Sequence, residues 1–478
     1  AIKTSLIAGA IGLGLVIIFM IAVYWIPGLA SSIALCIYTV LMVLLLNGFD
    51  ITLTLPGIAG IILSIGMAVD ANVIIFARIR EEIATGKTVK SAMKIGFQKA
   101  LSAIIDGNVT TLIAAAVLYF MGTGTVKGFA QTLALGIAVS MFTALFVTRM
   151  ILNAFYAAGL KDEKFYGRAK EHKSIDFLGK KGLFFALSAV VIIGGFAAMG
   201  IYSSKTGNAL NYSLEFKGGT STNVTFNEDM SIEELDEKVV PKIEEISKDA
   251  NVQTQKVQGT NQVIFKTVTM EVEQRDELSS WLEEEFEVDP DTITTETISS
   301  TISSEMRANA VVSVLVSAVC MLIYVALRFK DVRFGASSVA ALLHDVLVVL
   351  AFYAIARVSV GNTFIACMLT IVGYSINATI VIFDRIRENL KAGGSRAELK
   401  AVVNGSISQT LSRSIFTSLT TFVMVAVLYV MGVSSVKEFA LPLMVGIACG
   451  TYSSVCLAGA FWYLLRTKLA KKDKKEAN

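Results

Sequence analysis

Proline, histidine and cysteine are scarce in this 478-residue chain, which has five prolines, two histidines and five cysteines. The two histidines are His172, in a basic linker, and His344, in an apolar run, so a His/Cys metal centre is not expected. The cysteines (Cys36, Cys320, Cys367, Cys449, Cys456) all fall in apolar runs without a CxxC spacing, so no disulfide framework is expected and they read as small apolar packers. Nucleotide motifs are missing too. Gly86-Lys87-Thr88 has the end of a P-loop, but Glu81 stands where its first glycine belongs. No nucleophile–base pair can be assembled from the spacing, so an enzyme is not expected.

Charge is also sparse, at 17% of residues against 54% hydrophobic, and that excludes a soluble globule. Eleven segments are long and apolar enough to span a bilayer: 5–26, 29–47, 55–77, 103–122, 128–152, 182–202, 308–328, 335–356, 361–383, 413–432 and 437–465. Between residues 203 and 305 there are 22 acidic and 8 basic residues; the remainder has 17 acidic and 34 basic. The basic residues concentrate in 78–99, 161–181, 328–333, 385–413 and 466–475, which the positive-inside rule makes cytoplasmic. Alternation of the spans then puts the acidic segment on the other side and the C-terminus in the cytoplasm. The chain opens with Ala1 and enters a span without a signal-peptide n-region, which reads as a piece of a longer protein.

The spans form a repeat. Pairing Phe76 with Phe383 superimposes Gly66 on Gly373 and Arg78 and Arg80 on Arg385 and Arg387. Further on, Val117–Gly122, Val126-Lys127 and Phe129-Ala130 match Val427–Gly432, Val436-Lys437 and Phe439-Ala440, and Thr110-Thr111 falls on Thr420-Thr421. Two halves of the same orientation imply parallel repeats about an axis along the membrane normal. Symmetry also predicts one more span and an external domain before Ala1. Residues 203–305 read as strand–helix–strand–strand–helix–strand, a ferredoxin-like α+β domain. Its first helix opens with a Ser231–Glu234 capping box and a Met230/Leu235 staple, and Ile232, Leu235, Val239, Ile243 and Ile246 form its apolar face.

A charge inside an apolar run needs a reason. An Asp near the middle of a membrane helix costs about 2.5–3.5 kcal/mol. Asp70 lies eight residues before Arg78, about 12 Å along a helix, too deep for its side chain to reach the interface. The default reading is an ion or proton pathway; the alternative is a hydrogen-bonded packing residue. Asn377 takes its place in the second copy. Asp106, early in the fourth span, and Arg413, early in the tenth, are further candidates, and an Asp70–Arg413 ion pair across the halves is feasible; for Arg413 the alternative is snorkelling to the interface. His344 and Asp345 are secondary candidates, either functional or a structural hydrogen-bonded pair. Asn72, Asn377 and Thr379 would line a wet path or bond neighbouring helices. Such a cluster suits proton passage, since desolvation favours a carboxylic acid and a nearby arginine favours its carboxylate.

With these residues in view, the chain resembles the bacterial SecD–SecF fusion family of protein-export membrane proteins, within the resistance–nodulation–division superfamily. Residues 1–160 look like the SecD membrane part through Leu55–Gly60, Gly66–Val73, Asp106–Thr111 and Gly122–Ala130. The remainder looks like SecF, through Leu214–Thr220, His344-Asp345, Gly373–Asn377 and Phe383–Asn389. The expected organisation is a five-span SecD-like half (1–160), a basic linker (161–181), the first SecF-like span (182–202), an extracytoplasmic domain (203–305), five more spans (306–466) and a basic tail (467–478). The resemblance implies proton-driven assistance to late steps of preprotein export across the bacterial cytoplasmic membrane. Its implied partners are the SecYEG channel, SecA, YajC, unfolded preprotein and the bilayer, with no nucleic acid and no cofactor beyond the ion gradient. Sodium would suit the same carboxylate as a proton. It also assigns Asp70 and Arg413 to the proton path. Two departures stand out: Ala378 occupies a position where SecF has an Asp, and the SecD first span and large external head are missing. A lipid or small-molecule exporter of the same superfamily and a non-conducting scaffold are the alternatives.

Overall fold

The computed structural model describes residues 2–51, 54–122, 124–169, 174–249, 252–257, 260–393, 398–432 and 434–476. His172 and Thr123 of the Gly122–Ala130 motif lie outside the described residues, as do parts of the basic linker and tail. The chain divides into a helical unit, residues 1–210, 312–358 and 362–478, and a smaller unit, residues 211–311 and 359–361. Among the described residues, eleven helices are long and apolar enough to cross a membrane. The protein is a polytopic helical membrane protein with one small α+β domain.

In chain order the first half supplies α1 (Ile2–Tyr24), α2 (Ile26–Gly48), α3 (Leu55–Ala84), α4 (Val89–Met121), α5 (Thr125–Phe142) and α6 (Thr148–Ala157), and α7 (Lys181–Thr206) follows. After the small domain come α12 (Ser300–Phe329), α13 (Val332–Ala356), α14 (Asn362–Gly393), α15 (Leu399–Met431), α16 (Ser434–Tyr452) and α17 (Gly459–Glu476). A π-helical stretch, Thr143–Val147, joins α5 to α6, and another, Ser453–Ala458, joins α16 to α17. They coincide in the register that pairs Thr111 with Thr421.

The helices are longer than the apolar runs. α4 and α15 start well before residues 103 and 413, α14 continues past residue 383, and α12 begins before residue 308. Hydropathy marks only the part of a helix that lipid must solvate, whereas backbone hydrogen bonding continues through polar residues. The repeat recurs in the backbone: α4 ends on Gly122 and α15 on Gly432 with nearly equal dihedrals. Burial separates the helices sharply. α3 and α14 are central, with 94% and 89% of their apolar windows buried, while α7 has 11%.

Two glycine contacts tie the halves together. A Cβ on Gly66 in α3 would lie 3.0 Å from Thr421 Cα in α15. A Cβ on Gly373 in α14 would lie 3.1 Å from Thr111 Cα in α4, and Thr111 Oγ1 donates to the Gly373 carbonyl at 3.2 Å. Each half thus presents its glycine to the other's threonine. The Phe129 and Phe439 rings, also paired by the repeat, meet edge to face at 5.3 Å.

The small unit holds β1 (Asn211–Tyr212), α8 (Leu214–Lys217), β2 (Gly219–Thr225), α9 (Ile232–Lys238), α10 (Val240–Ser247), β3 (Gln253–Lys256), β4 (Gln262–Thr267), α11 (Val272–Phe286) and β5 (Thr294–Ile298), with β6 (Ser359–Val360) pairing in parallel with β1. The four-stranded sheet is antiparallel in the order β3-β4-β2-β5, the ferredoxin-like arrangement. Alternate residues Val263 and Phe265 of β4 join Leu235, Val239, Ile243, Leu278 and Leu282 in one core. Two expectations are corrected. The first helix is broken between Lys238 and Val240, because Pro241 removes a donor and interrupts the ladder. Ile232, expected inward, is exposed at the first position of α9, while Leu235 one turn on is buried.

The capping box is formed: Glu234 N donates to Ser231 Oγ at 3.2 Å and Ser231 N to Glu234 Oε2 at 2.9 Å. That backbone donor holds the Glu234 carboxyl below the ordinary glutamate value. The cap is therefore intact at neutral pH and is lost as pH falls through the lowered value. Ser231→Ala is expected to destabilise α9 by about 1 kcal/mol, read as faster hydrogen exchange at the Leu235–Lys238 amides with the membrane helices unchanged.

Candidate functional site

Asp70 sits in the middle of α3, and the buried Arg413 comes from α15 of the other half. Both line a cavity of about 20 Å³ with Ile74, Tyr374, Asn377, Ala378, Val381, Ser414 and Thr417, room for about one water molecule. A second cavity of about 10 Å³ touches Asp70 from the other side, against Asn108, Thr111 and Asn377. Asn377 is the repeat counterpart of Asp70, so the two central helices bring their matched positions to one place. Gly107 of α4 makes this possible, because a Cβ there would collide with the Asn377 amide. Tyr374 Oη bounds the site by donating to Thr421 Oγ1 at 3.2 Å and to the Thr417 carbonyl at 3.3 Å.

The expected Asp70–Arg413 ion pair is not made. Asp70 Oδ1, Arg413 Nε and Nη2, and Asn377 Oδ1 are buried without hydrogen-bond partners. The cavity holds the two side chains apart, with acid, guanidinium and amide facing a shared space. Among the described residues there are four buried carboxylates. Glu82 is paired with Lys87 and Lys99, Asp106 with Arg328, and Asp345 with His344. Asp70 is the one left free.

A ring of four charges closes the ends of α3 and α14. Arg78 meets Glu81 of its own helix at 2.9 Å and Glu388 of α14 at 3.1 Å. Arg385 meets Glu388 of its own helix at 3.3 Å and is also paired with Glu81 of α3. The repeat superimposes Arg78 on Arg385 and Glu81 on Glu388, so the ring is its own image under the pseudo-twofold axis. Arg413 lies within electrostatic reach of it.

Other predicted residues lie elsewhere. Asp106 faces away from the Asp70 cavity: Arg328 Nε of α12 donates to it at 2.7 Å and Tyr324 Oη at 2.9 Å, while Ser102 bonds Arg328. Thr379 is bonded to Ser454 at 2.9 Å on the far side of α14. Asn72 donates to the Ala68 carbonyl at 3.3 Å and does not line either cavity. His344 and Asp345 form a buried cluster with Cys449, whose Sγ donates to Asp345 Oδ1 at 3.2 Å, so this cysteine is more than an apolar packer. His344 Nδ1, Asp345 Oδ1 and Cys449 Sγ all lie within 4.8 Å of one another. Hydrogen bonds join the three side chains, which are of metal-ligating types although their spacing along the chain carries no sign of such a grouping.

Residues 1–158 and 279–468 match the family model described as protein export membrane protein SecD/SecF, C-terminal. The protein translocase subunit SecDF of Bacillus subtilis is 33% identical over 99% of this chain and 65% of its own length. The Thermus thermophilus subunit of that name is 37% identical over 82% of this chain and 52% of its own length. The crystal structure of SecDF from that organism, titled a translocon-associated membrane protein, aligns at 35% identity with a TM-score of 0.85, over 98% of this chain and 63% of its own. The chain therefore spans between half and two thirds of the length of these relatives.

Proposed function

Because the chain belongs to the SecD/SecF family of protein-export membrane proteins, we propose that it promotes protein export across the cytoplasmic membrane, alongside the Sec translocase, by passing protons through the Asp70 cavity. The observation that carries the reading is the unpartnered carboxylate. Burying an ionisable group without a partner costs several kcal/mol, and among the described residues the other buried acids avoid that cost. Asp70 has room for about one water and faces a guanidinium it does not touch. Such a carboxyl can exchange a proton with one side and then the other as the halves shift. Each proton moving with the field delivers about 2.3 kcal/mol per 100 mV. The acidic 203–305 segment lies outside and the basic loops inside, in keeping with the positive-inside rule. SecYEG, SecA and YajC are the partners, and an unfolded preprotein the cargo, that the family implies.

The test uses membrane vesicles containing the Sec channel and this protein, with a preprotein stalled midway. Under an imposed proton gradient, Asp70→Asn is expected to abolish gradient-dependent completion while leaving expression and channel association unchanged. Replacing the proton gradient by a sodium gradient decides the ion. Unchanged completion in the variant would make Asp70 a packing residue and the protein a scaffold.

A further inference from the structure

The second half has no carboxylate opposite Asp70, since Asn377 stands there. It has instead the most deeply buried carboxylate among the described residues, Asp345 on α13, with no side-chain exposure. Four groups from three segments converge on it. His344 Nδ1 and Cys449 Sγ reach Oδ1 at 2.9 and 3.2 Å. Ser375 of α14 and Ser453 of the second π-helical stretch donate to Oδ2, the latter at 2.7 Å. The chain of contacts continues outward. His344 Nε2 is 2.9 Å from Ser188 Oγ of α7, Ser188 is 3.2 Å from Tyr452 Oη, and Tyr452 donates to the Phe184 carbonyl at 2.8 Å. Phe184 lies in the first turn of α7, three residues past Lys181. The hydrogen-bonded path thus runs from that end of α7 to a carboxylate in the middle of the second half. Among the described residues, the other titratable groups at the pair and along the path are Cys449, Tyr452 and Cys456, the last in the π-helical stretch beside Tyr452, while Ser188, Ser375 and Ser453 supply hydroxyls.

We propose that His344 and Asp345 form a second proton-holding site, filled through Ser188 and Tyr452 and separate from the Asp70 cavity across α14. It deepens the proton-coupled reading above and uses different residues. In the filling step, His344 Nε2 takes the Ser188 hydroxyl proton while Nδ1 gives its proton to Asp345 Oδ1. The imidazole ends as the other tautomer, neutral before and after, and the carboxylate becomes a carboxylic acid. Ser188 regains a proton from Tyr452 once that hydroxyl turns from the Phe184 carbonyl to Ser188, and Tyr452 is reprotonated by a hydronium ion at that end of α7, which leaves as water. A protonated Asp345 then competes with the four groups that donated to its carboxylate, so filling loosens Ser453 or Ser375. A burial-only role for Asp345 would need neither the histidine between it and Ser188 nor a tyrosine beyond it.

The test is infrared difference spectroscopy of the protein in lipid bilayers between two pH values. A carboxylic C=O band is expected that persists in Asp70→Asn and vanishes in Asp345→Asn. Ser188→Ala leaves Asp345 and its donors in place, and should slow the band's response to a pH jump at least about tenfold. A difference spectrum unchanged by Asp345→Asn, or a response rate unchanged by Ser188→Ala, overturns the proposal. If Asp345→Asn does not fold, the Ser188→Ala rate decides alone. An Asp345 band that persists when Asp70→Asn leaves export untouched would sink the Asp70 reading and leave this one standing.

Discussion

Replacing Glu81 and Glu388 together by glutamine is expected to destabilise the membrane unit by far more than the two single replacements summed. Each arginine of the ring touches both glutamates. A single replacement leaves Arg78 and Arg385 sharing one carboxylate, at a cost of about 1 kcal/mol for a partly exposed partner. The double replacement leaves two guanidiniums, with side chains only 6% and 11% exposed, facing each other and the nearby Arg413. Uncompensated buried charge of that kind costs about 3–5 kcal/mol. Thermal unfolding of wild type, both singles and the double in one lipid composition gives the cycle. A coupling of about 1–3 kcal/mol is expected. Additivity to within about 0.5 kcal/mol would mean the four charges do not act as a ring.

A valine at Gly373 is expected to be as damaging by another route. Its Cβ would stand 3.0 Å from Ala114 Cβ and 3.1 Å from Thr111 Cα, so backbone of the first half would have to retreat. Overpacking of this kind costs about 1–3 kcal/mol, and here it also breaks the Thr111–Gly373 hydrogen bond. The two halves should separate at a lower temperature, and Gly66→Val should do the same through Thr421. Gly405→Ala is the control. It lies in α15 with nothing within 4 Å of its Cβ and is expected to be neutral or stabilising, by up to about 1 kcal/mol. Equal melting of Gly373→Val and Gly405→Ala would show that the close approach does not hold the halves together.

The fold was legible wherever one short-range rule decides it. Length and hydropathy give the eleven spans, and the Ser231–Glu234 spacing gives the capped start of α9. Helix ends were less legible, because α4 and α15 continue through basic residues that hydropathy treats as loop. Pro241 was a visible break signal outweighed by the apolar face running through it. At the site, the repeat brought Asp70 and Asn377 together on paper, and it contained the charge ring as Arg78/Glu81 over Arg385/Glu388. The partner of Asp106 was hidden, since Arg328 sits in a segment whose basic residues read as topology. Cys449, Ser375 and Ser453 carry no local signal for the Asp345 cluster. Such residues are found only when three separate segments are packed together.

The paired π-helical stretches bear on ancestry. A π turn is one residue more than an α-helix needs, and it persists only where the surroundings hold it. Thr143–Val147 and Ser453–Ala458 occupy matched positions although their sequences differ almost throughout. Doubling of a half that already carried the extra residue would leave it at both places. The two copies differ around it: Thr143 of the first bonds the Ser140 carbonyl of its own helix, whereas Ser453 of the second reaches Asp345. Asymmetry between the halves is built onto an irregularity that they share.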